Sequence, residues 1–412
     1  MVHAADYNQR MKSAWNQWNR WNDSEAARCG NELALRAYSS RLLGGDTSLV
    51  LHGGGNTSMK SDADGARVLY VKGTGSDLAH VNEAAFTPLR LEAVMRVLDK
   101  PHLDNSSMMR ALDDCLARRP APRPSIETLL HAGLPFRFVE HTHADAVLAA
   151  MNVEDLDAVH AAVYGDIAPR VPYHHSGHAL ARACMDVFHA QRTANTIGLV
   201  LAFHGVVAFG DTAQASYEHM IELVTRAENF LRAHRAWDIT ASAHSLPQPD
   251  SAALRNVHAQ INTVAGTPLA LHVVKDAQTL AFARRADLAE ISQQGPATPQ
   301  HAVYTKRVPM IGRDVQAYAA RYREYLDTHL GTAASALLDA APRIMLDPAF
   351  GLCAFGSGAR EAQIAAEMYQ HDIAVITRAS AHGHYRSAPR AAIAQAEFEY
   401  GGYAARLSGS AP

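Results

Sequence analysis

Between Ser48 and His234 short apolar runs alternate with longer amphipathic stretches, and this alternation narrows the available folds more than any other feature of the chain. The segments Ser48 to Leu51, Val68 to Val71, Leu89 to Leu98, Phe136 to Val139, Ala146 to Met151, Thr196 to Phe209 and Thr212 to His234 read as strands alternating with helices. That is the pattern of a layered α/β domain. Upstream, Glu25 to Leu43 reads as one amphipathic helix stopped by Gly44-Gly45. Before it, Trp15, Trp18 and Trp21 recur every third residue, a spacing that places the rings near one helix face for packing. The stretch from His244 to Asp250 turns polar and proline-bearing and reads as a linker. Beyond it a second region is expected to hold a helix over Ser251 to Val264 and a strand over Leu269 to Val274. A helix over Arg313 to Leu330, a loop at Phe355 to Gly358, a helix over Ala359 to Tyr369 and a strand over Ile373 to Thr377 follow. With 412 residues and 48% apolar side chains, the chain can bury cores for two domains of roughly 150 residues each. The expected division is a helical N-terminal extension over 1–24, a main domain over 25–240 and a smaller C-terminal region over 250–412.

Charge argues against several partners. The balance of 38 basic and 41 acidic side chains gives net −3, and no basic run is long enough to follow a phosphodiester backbone, so nucleic acid is not expected. Apolar stretches such as Ile197 to Phe203 fall far short of the roughly 20 residues of a membrane span, and the first residues have no basic-then-apolar leader pattern. Four scattered cysteines without a CxxC fit free thiols in a reducing compartment, and a cytoplasmic location is the expectation.

Any metal must then be held by something other than sulfur, and the chain has 23 histidines. In Glu140-His141-Thr142-His143, directly after an apolar run, a continuing strand would turn both imidazoles to one face, within reach of one ion. His204, followed by Gly205 at the end of another apolar run, is the candidate third ligand, because three histidines with an open fourth position describe a catalytic zinc site. An unmetallated, solvated pair is the alternative. A second cluster, Gly53-Gly54-Gly55-Asn56-Thr57-Ser58-Met59-Lys60, combines backbone amides free for an anion with an amide, two hydroxyls and a cation. Lys72-Gly73-Thr74-Gly75-Ser76-Asp77 repeats this chemistry; either segment alone could also be a glycine-rich turn. In Pro124-Ser125-Ile126-Glu127-Thr128, Ser125 is placed to cap a helix and Glu127 to fall in its first turn. There a carboxylate answers the helix dipole or, beside these neighbours, acts as a base.

Taken together and in this order, these segments resemble the class II aldolase/adducin family. The likeness is to its long branch, the aldolase part of bifunctional rhamnulose-1-phosphate aldolase/alcohol dehydrogenases without the dehydrogenase domain. It runs from Ser40-Arg41-Leu42-Leu43-Gly44 to Glu218-His219-Met220-Ile221-Glu222-Leu223-Val224, and resumes in Ala297 to Arg307 and in Glu397-Phe398-Glu399-Tyr400. The resemblance implies an α/β fold whose layered domain surrounds a mainly antiparallel sheet, with a smaller C-terminal α/β region. It implies Zn2+, or another divalent first-row metal, on His141, His143 and His204, and Glu127 as acid/base. Asn56, Thr57, Gly55, Thr74, Gly75 and Ser125 would contact a phosphate or carbonyl. Lys60 stands where family members carry an arginine, and Tyr164 and Tyr173 are the candidates for a tyrosine given by a neighbouring subunit. The implied reaction is reversible cleavage of a hydroxyketone or sugar phosphate, such as a ketose 1-phosphate, into dihydroxyacetone phosphate and an aldehyde, by a homotetramer or larger assembly. A 4-epimerase, a dehydratase and a non-catalytic adducin-like scaffold are the alternatives. His301, Lys306 and Arg307 could reach an active-site mouth or a surface carboxylate, and the residues alone do not choose.

Overall fold

The computed structural model describes residues 19–63, 65–239 and 251–407; Trp15, Trp18 and the expected linker at 244–250 lie outside the described residues. Two compact units emerge: described residues up to Met151 with Leu156–Ala233, and Asn152–Asp155 with those from His234 onward.

Seven strands build the sheet of the first unit: β1 (Asn56–Ala63), β2 (Ala66–Lys72), β3 (Phe86–Arg90), β4 (Phe138–Thr142), β5 (Arg170–Val171), β6 (Gly198–Leu201) and β7 (Gly205–Gly210). Their order is β3-β2-β1-β4-β7-β6-β5, antiparallel throughout except for the β5/β6 pair. Because strand side chains alternate, register decides which residues share a face. Asn56 pairs with His141, Ser58 with Val139, and His141 with Val207. That face is otherwise lined by Leu69, Val71, Leu89, Leu199 and Phe209, packed with Leu129, Leu130, Leu180 and Phe188 from the helices above it. The other face carries Thr57, Met59, Phe138 and Glu140. It is covered by α1 (Glu32–Gly44) and by the long helix Ala213–Ala233, whose Ala213 packs with Met59 and Phe138. Helices on both faces of a mainly antiparallel sheet make this unit the expected layered α/β fold.

Several local expectations change. The helix expected over Glu25 to Leu43 is broken: a single turn, Asp23–Ala26, precedes α1, and Asn31 caps α1 by accepting from Ala34 N. Trp21 lies in non-helical chain ahead of that turn, its ring edge-on to Tyr38 at 5.4 Å. Gly44 is the last residue of α1, and only glycine fits there, since a Cβ would run into the backbone of Leu78 and Ala79. Ser48 to Leu51 forms turns instead of a strand, with the Asp46 carboxylate accepting from Ser48 N and Oγ. The strand starts later, inside the Gly-Gly-Gly-Asn-Thr cluster, at Asn56.

The second unit holds β8 (Ala270–Val274), β9 (Met310–Ile311), β10 (Ile344–Asp347) and β11 (Gly351–Gly356), ordered β8-β11-β10-β9, with β9/β10 parallel. Val257 and Ile261 of the helix Ser251–Ala265 and Tyr318 and Tyr322 of the helix Val315–Leu330 pack with Cys353 and Phe355. The strand expected over Ile373 to Thr377 is instead part of one helix, Ala359–His382. Its buried positions Ala362, Ala365, Ala366, Tyr369, Ile373 and Ile376 recur at three and four residues, so helical burial overrides the β-branched composition. Ser357, in the loop before this helix, is bonded to the helix's own Glu361 through both N and Oγ. Among the described residues no helix is long and apolar enough to cross a membrane.

Candidate metal centre and acid/base group

His141 is the penultimate residue of β4, buried between Asn56 of β1 and Val207 of β7. Its Nδ1 donates to Val206 O at 3.1 Å, which fixes the proton on that nitrogen and leaves Nε2 with a lone pair facing outward from the strand end. His143 lies one residue past β4, and its Nε2 is 3.0 Å from His141 Nε2. His204 enters from the β6–β7 turn. Phe203 takes φ +56 and Gly205 φ +155, and a Cβ on Gly205 would collide with Thr142 O, so only glycine lets the turn close against β4. The three ring centroids lie 4.8, 4.9 and 5.0 Å apart, and one nitrogen from each lies within 4.8 Å of the others. Three imidazoles converging from two strand ends, with one tautomer already set, fit a single divalent ion held at about 2.0–2.1 Å.

Glu127 faces this cluster, its Oε1 3.2 Å from His204 Nε2 and its Oε2 3.5 Å from His141 Nε2. It is not in the first turn of α2 (Thr128–Gly133) but at that helix's cap position, with φ −99 and ψ 12, and Ser125 sits in the turn before it. Ser125 Oγ accepts from Glu127 N at 3.2 Å, while Asn56 Nδ2 donates to Glu127 Oε2 at 2.6 Å and reaches Ser125 Oγ at 3.4 Å. Burial raises the Glu127 pKa, but His141, His204 and the Asn56 amide outweigh it and hold the carboxylate well below its usual range. Burial lowers the His141 pKa, partly offset by Glu127.

The other expected residues divide. Gly55 belongs here: it takes φ +60, and a Cβ would lie 2.7 Å from His141 O. Thr74 and Gly75 are exposed, and Thr74 is tied to the chain just ahead of Ser125, with N bonded to Arg123 O and Oγ1 to Pro124 O. Thr57 does not join Asn56. One residue along the strand it points to the opposite face, where its hydroxyl meets Ser40 Oγ at 2.7 Å. Lys60 does not join them either: its buried ammonium donates to the carbonyls of His131, Leu134 and Phe136 at 2.6–2.8 Å, securing the end of α2, and burial pushes it down to about 7. Tyr164 is buried, its ring 6.0 Å from that of His160, and Tyr173 is half-buried beyond β5.

Two further contributors were given no role of their own by the sequence, Lys72 being read only as part of a glycine-rich segment. Lys72, the last residue of β2, bonds Gly53 O and Gly55 O at 3.0 and 3.1 Å; burial lowers it to about 8 against the pull of Asp77 and Glu127. His131 is fully buried and bonded to Asn56 Oδ1 and to Ser58 Oγ. The four-residue step from Glu127 to His131 was the available signal. On the reverse face of β4, Glu140 accepts from Arg36 Nη2 at 2.7 and 2.9 Å and from Ser216 Oγ at 2.8 Å, clamping the strand one residue before His141.

The fold and this cluster place the chain in a class whose models match it twice. A model of the Class II Aldolase and Adducin N-terminal domain matches residues 35–231, and a model of the class II aldolase second domain matches residues 248–400. The chain belongs to the class II aldolase/adducin family. Over 394 residues it is 27% identical to the "Uncharacterized oxidoreductase YuxG" of Bacillus subtilis (strain 168), a match covering 89% of this chain and 57% of that protein. The chain thus spans little more than half the length of that curated relative. It is similar also to the N-terminal class II aldolase domain of a conserved Thermoplasma acidophilum protein (36% identity, 52% of this chain, 99% of that one, TM-score 0.48). A further similar structure is L-fuculose-1-phosphate aldolase from Thermus thermophilus (18% identity, 50% and 95% coverage, TM-score 0.33).

Proposed function

We propose that this protein is a metal-dependent aldolase that reversibly cleaves a hydroxyketone, a ketose 1-phosphate giving dihydroxyacetone phosphate and an aldehyde. The observation that carries this is the Glu127 carboxylate standing 3.2–3.5 Å from two of three converged imidazoles. Breaking a carbon–carbon bond beside a ketone leaves negative charge on oxygens and an electron pair on carbon. Zn2+, or another first-row divalent ion on His141, His143 and His204, would supply Lewis-acid stabilisation of those oxygens. The proton work falls to Glu127. As a carboxylate it removes a proton from the carbon beside the ketone in the condensation direction; in cleavage the proton given up by the hydroxyl that becomes the aldehyde carbonyl passes to Glu127, which delivers it to that carbon. Asn56 holds the carboxylate and Ser125 the Glu127 backbone N–H, and Gly55, Thr74 and Gly75 are assigned to the phosphate or carbonyl end of the substrate. The domain over 25–240 carries the chemistry in a cytoplasmic homotetramer, and the region over 250–412 is accessory.

Glu127→Gln keeps the size and the bonds to Asn56 but cannot shuttle the proton. Turnover should fall by about 10²–10⁴-fold, measured as aldehyde release, while metal content by elemental analysis stays at the wild-type level. Undiminished aldehyde release in that variant removes Glu127 from the mechanism. Loss of substrate without free aldehyde points to a dehydratase, and isomerised substrate to an epimerase.

A further inference from the structure

We propose that His131 is a positioning residue that fixes which end of the Asn56 side-chain amide faces Glu127, and so sets the sign of the polar wall there. This rests on the proposed role of Glu127. The hydrogen-bond chain has only one consistent set of protons. A carboxylate can only accept, so the Asn56 atom 2.6 Å from Glu127 Oε2 is the nitrogen, and Asn56 Oδ1 must face the other way. There it meets His131 Nε2, which must therefore carry a proton. His131 Nδ1, 2.8 Å from Ser58 Oγ, is then the bare nitrogen and accepts from the hydroxyl. Burial holds this imidazole neutral, lowering its pKa to about 3, so the single proton is the one on Nε2.

The fold leaves little freedom in the chain. Asn56 and Ser58 are alternate residues on one face of β1, and His131 comes up from α2, one turn beyond Glu127. Lys60, next along the same face, grips the carbonyls of His131, Leu134 and Phe136 and so pins the helix that carries the ring. With Oδ1 occupied by His131, Asn56 presents only N–H groups to Glu127 and Ser125, a surface that favours negative charge. With the amide reversed, Oδ1 would face the carboxylate and repel it. His131 touches neither the three-histidine cluster nor the carboxylate in this chain of bonds; it acts through Asn56.

The test has two parts. In protein with 15N-labelled histidines, proton–nitrogen correlation spectra should show His131 as a neutral ring protonated on Nε2. A proton on Nδ1, or a charged ring at neutral pH, overturns the proposal whatever the activity. Kinetics then compare three backgrounds. His131→Leu should lower kcat about 10–100-fold with metal content unchanged. His131→Gln, whose amide nitrogen can donate from the same position, should recover most of that loss. In an Asn56→Ala background, His131→Leu should cost nothing further. Full additivity of the two changes, or a His131→Gln variant that folds and holds metal yet is as slow as His131→Leu, overturns the proposal. If His131→Leu does not fold, the Gln variant and the spectra decide. Wild-type protein that releases no aldehyde from any ketose phosphate sinks the aldolase assignment instead, and the spectra still judge His131.

Discussion

Each unit buries a cluster of ionisable groups, and the two clusters are built on opposite plans. In the C-terminal unit the charges answer one another. Lys306 Nζ donates to Asp339 O at 2.5 Å and lies 4.2 Å from the centre of the Tyr322 ring, while Arg343 Nη2 pairs with Asp339 Oδ2 at 2.5 Å. Glu397 accepts from Arg307 N at 2.7 Å and from Tyr325 Oη at 3.1 Å, and His301 Nδ1 is bonded to Asp372 at 2.7 Å. His301, Lys306 and Arg307, considered for an active-site mouth or a surface carboxylate, are bonded within this unit to Asp372, to the partly exposed Asp339 and to Gln293 O. In the N-terminal unit the support is as thorough, but it stops one atom short. Val206 holds His141 by Nδ1, and Asn56 holds Glu127 by one oxygen, so that Nε2 and the carboxylate are left aimed at shared space. Buried charges that answer one another become costly to separate, whereas groups held from behind keep a free face for chemistry.

The sharpest way to break this contrast is to remove a ring from each plan. His141→Ala should abolish measurable aldehyde release and stoichiometric metal binding, about 10³-fold or more in turnover, because two imidazoles do not make a closed ligand set. The melting temperature of the metal-free variant should stay within a few degrees of metal-free wild type, since crowding three imidazoles and a carboxylate together is not a stabilising arrangement. A collapse in stability equal to the collapse in activity would mean that the histidine cluster is a structural core like that around Lys306.

Asp339 provides the reciprocal test in the other unit. Lys306 and Arg343 outweigh burial and lower its carboxyl to about 2, against an ordinary value of 3.8. A depressed folded-state pKa stabilises the protein above about pH 4, and that contribution is lost as pH falls toward 2. Asp339 is 32% exposed, so screening reduces the effect to roughly 1 kcal/mol. Asp339→Asn should therefore flatten the dependence of unfolding free energy on pH between about 4 and 2 and leave kcat at neutral pH unchanged. A kinetic defect in folded Asp339→Asn would end the division of labour.

How much of this could be read beforehand follows from what fixes each part. His141 and His143 were legible because side chains two apart share a strand face, and His204 because it ends another apolar run; Glu127 was legible as a carboxylate at a helix start, though it stands at the cap and not in the first turn. The mainly antiparallel sheet came with the family resemblance, not from the apolar runs. What escaped depends on register between distant segments. His131 and Lys72 matter only because β1 lies beside β4 and β2, so that Asn56 meets His141 and the turn at Gly53–Gly55 meets a lysine from the next strand. Ile373 to Thr377 was misjudged for the converse reason, because β-branched residues report burial as well as strands, and only the spacing of the buried positions over 24 residues reveals a helix.

The finest form of the comparison sits within one strand. Asn56 and Thr57 are neighbours, both buried and both expected to touch substrate, yet Thr57 bonds Ser40 on the reverse face of the sheet. Thr57→Val preserves shape and removes only the hydroxyl. It leaves Ser40 Oγ its bond to Arg36 O at 2.6 Å, so the stability cost should be small, about 1 kcal/mol by denaturant titration, with kcat and KM at wild-type values. Asn56→Ala, one residue away, should lower kcat about 10–100-fold at a comparable cost in stability. If Thr57→Val instead raises KM severalfold while its unfolding is unchanged, Thr57 serves the substrate after all, and the alternation of β1 into a chemical face and a packing face fails at its first step.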